Sequence, residues 1–265
     1  MLLSSVILVL REVLEAALLF SLLMALSKRL GISCRWVFVA LIFGLLGAAI
    51  YGFNIDRVSV WFDYVGQEVV NALLQIMIFS LLCALAATAL RRSRGLNAPD
   101  VLLSALMLGS VTLAIVREGA EIMIYLSGFM QVREQLVPVM AGSAIGAGIG
   151  VSVGAVFYYA LLNLNRRAAV ITGAVLLGLV AAGMASQATQ LLIQADWLPS
   201  QYPLWDSSWL VAEHTVSGQL LYALVGYEAT PTLLQLSIYL ASIVLLVGVS
   251  VLAGGRRRGA NSHAA

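Results

Sequence analysis

Charge is the scarcest property of this sequence. Lys, Arg, Asp and Glu make up 11% of its 265 residues, while 61% are hydrophobic and the mean hydropathy is +0.97. Soluble domains run near a quarter charged, so a soluble globular domain is excluded and an all-α polytopic membrane protein is expected. Cysteine is nearly missing too. Cys34 and Cys83 lie in separate segments with no CxxC spacing, so no disulfide scaffold, haem attachment or zinc-finger pattern is available. The N-terminus has neither a charged n-region nor an A-x-A site, so the first apolar run reads as a retained helix rather than a cleaved signal. No stretch is long enough for a separate catalytic or sensory domain, which argues against an enzyme. The net charge of +2 gives no reason to expect a nucleic-acid partner.

What is present is a series of long apolar runs. Seven of them, near 3–27, 37–53, 68–90, 101–127, 138–162, 168–193 and 232–253, have the length needed to cross a hydrocarbon core of about 30 Å. The basic residues between them alternate. Lys28, Arg29 and Arg35 follow the first run, Arg91, Arg92 and Arg94 the third, Arg166 and Arg167 the fifth, and Arg256, Arg257 and Arg258 the seventh. The opposite loops hold only Arg57 and Arg133. Positive residues stay on the cytoplasmic side, so the expected orientation is N-out and C-in, a parity that seven spans satisfy. Residues 1–258 then form one transmembrane domain, and 259–265, with His263, a short cytoplasmic tail. Residues 209–227 are apolar enough to suggest an eighth span, but that would put Arg256–Arg258 outside. The stretch 194–231, with Trp197, Trp205, Trp209, Pro199 and Pro203, is therefore expected to be external, with an interfacial or re-entrant helix.

The scarce charges are concentrated. Arg11-Glu12-Val13-Leu14-Glu15 and Arg117-Glu118-Gly119-Ala120-Glu121 are two R-E-x-x-E sequences, each inside an apolar run. An ionisable residue at mid-bilayer costs roughly 2.5–3.5 kcal/mol on insertion scales, so six of them call for a function. The motifs stand 106 residues apart, with three spans per unit. An odd number of spans reverses direction, which predicts an inverted repeat of halves 1–90 and 101–193 plus one C-terminal helix. On a helix, residues three and four apart share a face, so each motif projects two carboxylates and a guanidinium together. Packed side by side, the first and fourth helices would gather Glu12, Glu15, Glu118 and Glu121, with Arg11 and Arg117 offsetting half of their charge and orienting them. Hard carboxylate oxygens suit Mg, Ca, Mn or iron rather than copper(I) or zinc. The residues alone leave open a cation transporter, a carboxylate-lined proton or divalent-cation channel, an intramembrane di-iron oxidase, and a metal-binding sensor or assembly subunit.

Secondary candidates are fewer. Glu68 opens the third span and suits an outer vestibule or a snorkelling position. Glu213 and His214 could pre-bind a cation outside, Asp196 and Asp206 could attract one, and Gln187 and Gln190 in the sixth span could line a path or bridge helices. Gly142, Gly146, Gly150 and Gly154, four residues apart, form a small-residue ladder that predicts close helix packing along the fifth span.

With two R-E-x-x-E motifs on the first and fourth of seven spans, the sequence resembles the oxidase-dependent iron permease family: the fungal high-affinity iron permeases and the bacterial EfeU-type permeases. Ala141-Gly142-Ser143-Ala144-Ile145-Gly146, Ala181-Ala182-Gly183-Met184, Trp205-Asp206-Ser207-Ser208 and Gly226-Tyr227-Glu228-Ala229-Thr230-Pro231 are similar to family segments, so the resemblance covers essentially the whole chain. It implies inward movement of iron (ferrous or ferric) as substrate across the cytoplasmic (inner) membrane. It also implies the four motif glutamates as the iron-handling groups, no permanently bound cofactor, and a separate extracytoplasmic oxidase or periplasmic iron-delivery protein as partner. Two positions depart from the pattern. Val13 stands where glycine is common, and Met77-Ile78-Phe79-Ser80-Leu81 replaces a Met-rich, Trp-containing stretch, so no role carries over to the third helix.

Overall fold

In the computed structural model, residues 2–129, 133–213 and 215–255 are described. His214, the basic run Arg256–Arg258 and the tail 259–265 lie outside them. Each apolar run is a helix: α1 (Leu2–Arg29), α2 (Arg35–Phe53), α5 (Gly66–Ser93), α6 (Asp100–Ser127), α7 (Arg133–Asn163), α8 (Arg166–Gln194) and α10 (Leu233–Gly255). Between α2 and α5 lie two short elements, α3 (Ile55–Ser59) and α4 (Trp61–Tyr64). The chain bends there through left-handed backbone at Phe62, Asp63 and Tyr64. The remaining helix is α9 (Val216–Val225). Six of the described helices are long and apolar enough to cross a membrane. The seventh, α1, is as long at 28 residues and differs in carrying the three charges of the first motif. The chain is thus an all-α polytopic membrane protein.

The helix ends follow from local chemistry. Gly31 (φ 68°) and Gly95 (φ 70°) turn the chain just past α1 and α5, where left-handed backbone is open mainly to glycine. Lys28 and Arg29 close α1, and Arg91 and Arg92 close α5, where cations complement the helix dipole. Asn165 and Thr215 accept hydrogen bonds from Ala168 N–H and Gly218 N–H, capping α8 and α9.

Close approach at small residues fixes the arrangement. A Cβ on Gly142, Gly146 or Gly150 would come within 3 Å of Leu2, Val6 or Val13 on α1, so α1 and α7 run parallel with backbones nearly touching. The same device recurs between α2 and α6, where Gly44, Gly47 and Gly52 face Ile115, Val116 and Met123, again in parallel. α1 and α6 are antiparallel, since Ser5 bonds Tyr125 (2.7 Å) while Glu15 meets Arg117 (3.3 Å). Exchanging the two halves of the chain turns the pair α1–α7 into α6–α2. This is the packing of an inverted repeat.

Two ends of the bundle differ in character. One gathers Leu2, Phe53, Gly66 and Ser127 and lies nearer the motifs; the other gathers Lys28, Arg29, Arg35, Arg91, Arg92 and Arg94. At the basic end, the Arg29 guanidinium donates to the carbonyls of Leu161, Leu162 and Leu164 (3.3, 2.7 and 2.7 Å), tying the end of α1 to that of α7.

α9 is ten residues long, about 15 Å at 1.5 Å per residue, half of what a span needs. Leu220, Ala223 and Leu224 pack on Leu14 and Leu18 near the middle of α1. At its tip Gly226 (φ 65°) turns the chain against Gly183 of α8. The return segment pairs with the incoming loop through Leu204 N–H to Pro231 O and Ser207 N–H to Ala229 O, both 2.9 Å. Residues 209–227 thus supply a helix of half a span's length, packed against the middle of α1, rather than an eighth long helix. Exposed Trp205 and Trp209 lie in the loop that leads into it.

Candidate functional site

The two motifs meet where α1 crosses α6. Charges placed in an apolar bundle must be paired or hydrogen-bonded, and the arginines supply most of that pairing. Arg117 is 5% exposed; its Nη1 donates to Glu118 Oε1 (2.5 Å) and Glu15 Oε2 (3.3 Å), and its Nε lies 3.5 Å from Glu121 Oε1. Arg11 donates from Nε to Glu15 Oε1 at 3.4 Å. Both i, i+4 Arg–Glu pairs anticipated by the spacing are thus formed.

The four glutamates are not equivalent. Glu15 has each oxygen committed to an arginine, one from either motif. Glu12, Glu118 and Glu121 instead present carboxylate oxygens that all lie within 4.8 Å of one another. Glu12 and Glu118 are buried, and Oε2 of each has no hydrogen-bond partner among the described residues. Three converging carboxylates, two with orphaned oxygens, repel one another unless a cation sits between them. The gathering of four carboxylates anticipated from the sequence becomes three around one point, with the fourth holding the arginines in place.

Two other elements complete the surroundings. From α5, Asn71 donates through Nδ2 to Glu121 Oε1 (3.3 Å) and accepts from Tyr51 (3.0 Å). Glu68, Asn71 and Gln75 lie three and four residues apart and so share a face of α5. Glu68, half-buried in the first turn, stands at the mouth of that line. From α9, the Tyr222 ring lies under the Arg11 guanidinium, 4.6 Å from ring centroid to Cζ, within cation–π range.

The remaining sequence candidates lie elsewhere. Glu213 is exposed, and its Oε1 accepts the Ala229 N–H at 2.6 Å, so it fastens the return loop after α9. Asp206 accepts from Ser208 N–H, and the Ser208 hydroxyl first, with that N–H, lowers its carboxyl from the ordinary value, which makes it a turn residue. Gln187 is buried and joined to Gln75 at 2.8 Å, so it bridges α8 to α5. Gln190, half-buried, lies one turn nearer the motif end.

Sequence reasoning passed over Asn71, Gln75 and Tyr222. The first two carried a readable signal, amides four residues apart in an otherwise apolar run. Tyr222 carried none, because an aromatic in an amphipathic half-helix does not announce a long-range cation partner.

The four helices around the site change character at one depth. On α5 the buried face runs Asn71, Gln75, Ile78, Leu82, Leu85; on α6 it runs Leu103, Met107, Val111, Ala114 and then Arg117 and Glu118. α1 passes from Glu12 and Glu15 to Leu18, Leu19 and Leu22. On α8, Val180 and Met184 give way to Gln187. The motif half of the bundle carries charged and amide groups at its centre, and the basic half is closed by packed hydrocarbon, its buried hydroxyls Ser21, Ser27 and Ser110 each donating to a backbone carbonyl.

Residues 2–257 match the family model described as the Iron permease FTR1 family. Named relatives include the ferrous iron permease EfeU of Escherichia coli O157:H7 and that of Shigella sonnei strain Ss046, each 27% identical over 253 residues, covering 90% of this chain and 91% of theirs. The EfeU of Escherichia coli strain UTI89 is 26% identical over the same length. No solved structure matches.

Proposed function

We propose, from the premise that the chain belongs to the Iron permease FTR1 family, that it carries ferrous iron inward across the cytoplasmic membrane and binds it between Glu12, Glu118 and Glu121. The observation that supports this most directly is the convergence of those three carboxylates, with unpartnered Oε2 atoms on Glu12 and Glu118. Hard oxygen donors at this spacing replace water around a small hard cation.

Charge favours a divalent ion. Four motif carboxylates against two guanidinium groups leave a formal −2, which one ferrous ion cancels. Arg117 holds Glu15, Glu118 and Glu121 in one orientation through charge-assisted bonds, and Arg11 keeps Glu15 from turning into the site. In the seven-span, N-out arrangement suggested by the basic loops, the motif end of the bundle faces outward. Iron reaches the carboxylates past Glu68 and leaves when the apolar inner half parts. That closed inner half supports a carrier over an open channel, whose polar lining would run to both ends. A separate oxidase or iron-delivery protein would act on the outer face, around the loops that carry Trp205 and Trp209.

Uptake of radiolabelled iron into proteoliposomes tests the reading, with wild type compared against the variant carrying Gln at positions 12, 15, 118 and 121, its folding first established by monodisperse elution and cooperative thermal unfolding in detergent. Uptake of iron kept reduced by ascorbate, abolished in the variant, is the expected result. Equal uptake by both proteins would show that the ion does not pass through the motifs.

A further inference from the structure

Resting on the binding reading above, we propose a second, uncharged cation station at the Gln75–Gln187 amide pair, one helical turn inward of Asn71, the α5 residue that bonds Glu121. Gln75 is completely buried, at 0% exposure, and Gln187 is 4% exposed. Gln75 Nε2 donates to Gln187 Oε1 at 2.8 Å, and Gln75 Oε1 has no partner among the described residues. Turning both amides over would reverse this bond and orphan the other Gln75 atom instead, so Gln75 keeps one unmet polar atom in either assignment. A buried amide group without a partner is disfavoured, and a pair needed only to clamp α5 to α8 could be satisfied on both sides.

Position gives the orphan its meaning. Asn71, which bonds Glu121, lies four residues before Gln75 on the same buried face of α5. Immediately beyond Gln75 on that face come Ile78, Leu82 and Leu85, all 0% exposed. On α5 the amide pair is therefore the last buried polar layer before Ile78, Leu82 and Leu85, next in line after the residue that bonds Glu121. A carboxamide oxygen is a hard donor without charge. It lets an ion exchange one carboxylate ligand at a time rather than lose all three together, and it holds the ion weakly enough to release it when the inner half opens.

The test uses the full chain. In Gln75→Leu/Gln187→Leu both partners become apolar, so neither is orphaned and a purely structural clamp is replaced at little loss. The expected outcome is unchanged thermal stability and unchanged equilibrium binding of ferrous iron in detergent. The maximal uptake rate in proteoliposomes should fall about tenfold or more, the usual scale for removing a group just outside a metal's own ligands. A folded double variant transporting within about twofold of wild type would overturn the station. If that variant does not fold, Gln75→Glu decides. It should bind ferrous iron more tightly or in a second equivalent and transport it more slowly, and wild-type binding with wild-type rate would overturn the proposal. The four-glutamine motif variant run alongside separates the two failures: if it still transports, the carboxylate reading falls. If it is inactive while the double Leu variant runs at full speed, only the amide station does.

Discussion

At the scale of single residues, the site divides the four motif glutamates into two kinds of work. Glu12, Glu118 and Glu121 converge, whereas Glu15 is held by Arg11 and Arg117. Replacing a converging member, as in Glu118→Gln, is expected to weaken ferrous iron binding by at least ten- to a hundredfold, the loss seen even for partners outside the ligand shell. Equilibrium dialysis with radiolabelled iron reads it. Glu15→Gln acts on the fold instead. It leaves two guanidinium groups short of a partner, and breaking a buried pair from one side costs roughly 3–5 kcal/mol, so its Tm in detergent should drop well below that of Glu12→Gln. Arg117→Lys belongs with Glu15→Gln, because one ammonium cannot reproduce a planar fork that reaches three carboxylates. The sequence made the four carboxylates and both i, i+4 pairs legible, since helical spacing alone decides them. It could not say which glutamate the arginines would claim, because that depends on the register of α1 against α6, set by packing more than 100 positions apart in the chain.

At the scale of elements, the glycine ladders and the half-helix make separable predictions. A Cβ on Gly146 would lie 2.5 Å from Val6 O, a backbone atom that cannot step aside, whereas a Cβ on Gly148 meets nothing within 4 Å. Gly146→Ala is expected to destabilise by about 1–3 kcal/mol through overpacking. Gly148→Ala should be neutral or slightly stabilising, and thermal unfolding of the two variants side by side checks both. The ladder of α7 could be read from its spacing. Its counterpart on α2 was hidden, because Gly44, Gly47 and Gly52 do not keep one interval.

The return loop after α9 carries a pH-sensitive group. Burial, and next the nearby Glu213, push the Glu228 carboxyl from 4.5 up to about 7, against the hydrogen bond from Gln235. A carboxyl raised on folding favours the folded loop when protonated. Its contribution is full below pH 4.5 and is lost as pH rises through about 7. Protection factors for hydrogen exchange over residues 204–232, which take out the intrinsic rise of exchange with pH, should accordingly be higher at pH 5 than at pH 8, and Glu228→Gln should remove that difference.

For the whole molecule, the orientation is open to a direct check. Cys34 is exposed in the turn after α1 while Cys83 is buried, so a membrane-impermeant maleimide has one reactive native target. With the N-terminus out, that target faces the cytoplasm. Inverted membrane vesicles should label and intact spheroplasts should not, and the reverse pattern would turn the protein over. The series of long apolar helices and the reversal of the two halves were readable from run lengths and motif spacing, because a bilayer demands long apolar helices and an odd number of them reverses direction. The intimate pairing of α1 with α7 and of α2 with α6 was not, since each joins helices from opposite halves. Any rigid bodies that move during transport are thus composites of the two halves rather than the halves themselves.

That interlacing has a bearing on how the protein is made. Glu15 and Arg117 are separated by 102 positions, and at synthesis rates of about 5–20 residues per second the first helix waits roughly 5–20 s for its charged partner to emerge. During that interval Glu15 has one cation within reach, Arg11, on its own helix. The arginine that opens the first motif therefore does duty before the protein is finished: it pairs with Glu15 in a half-built site until the other half arrives.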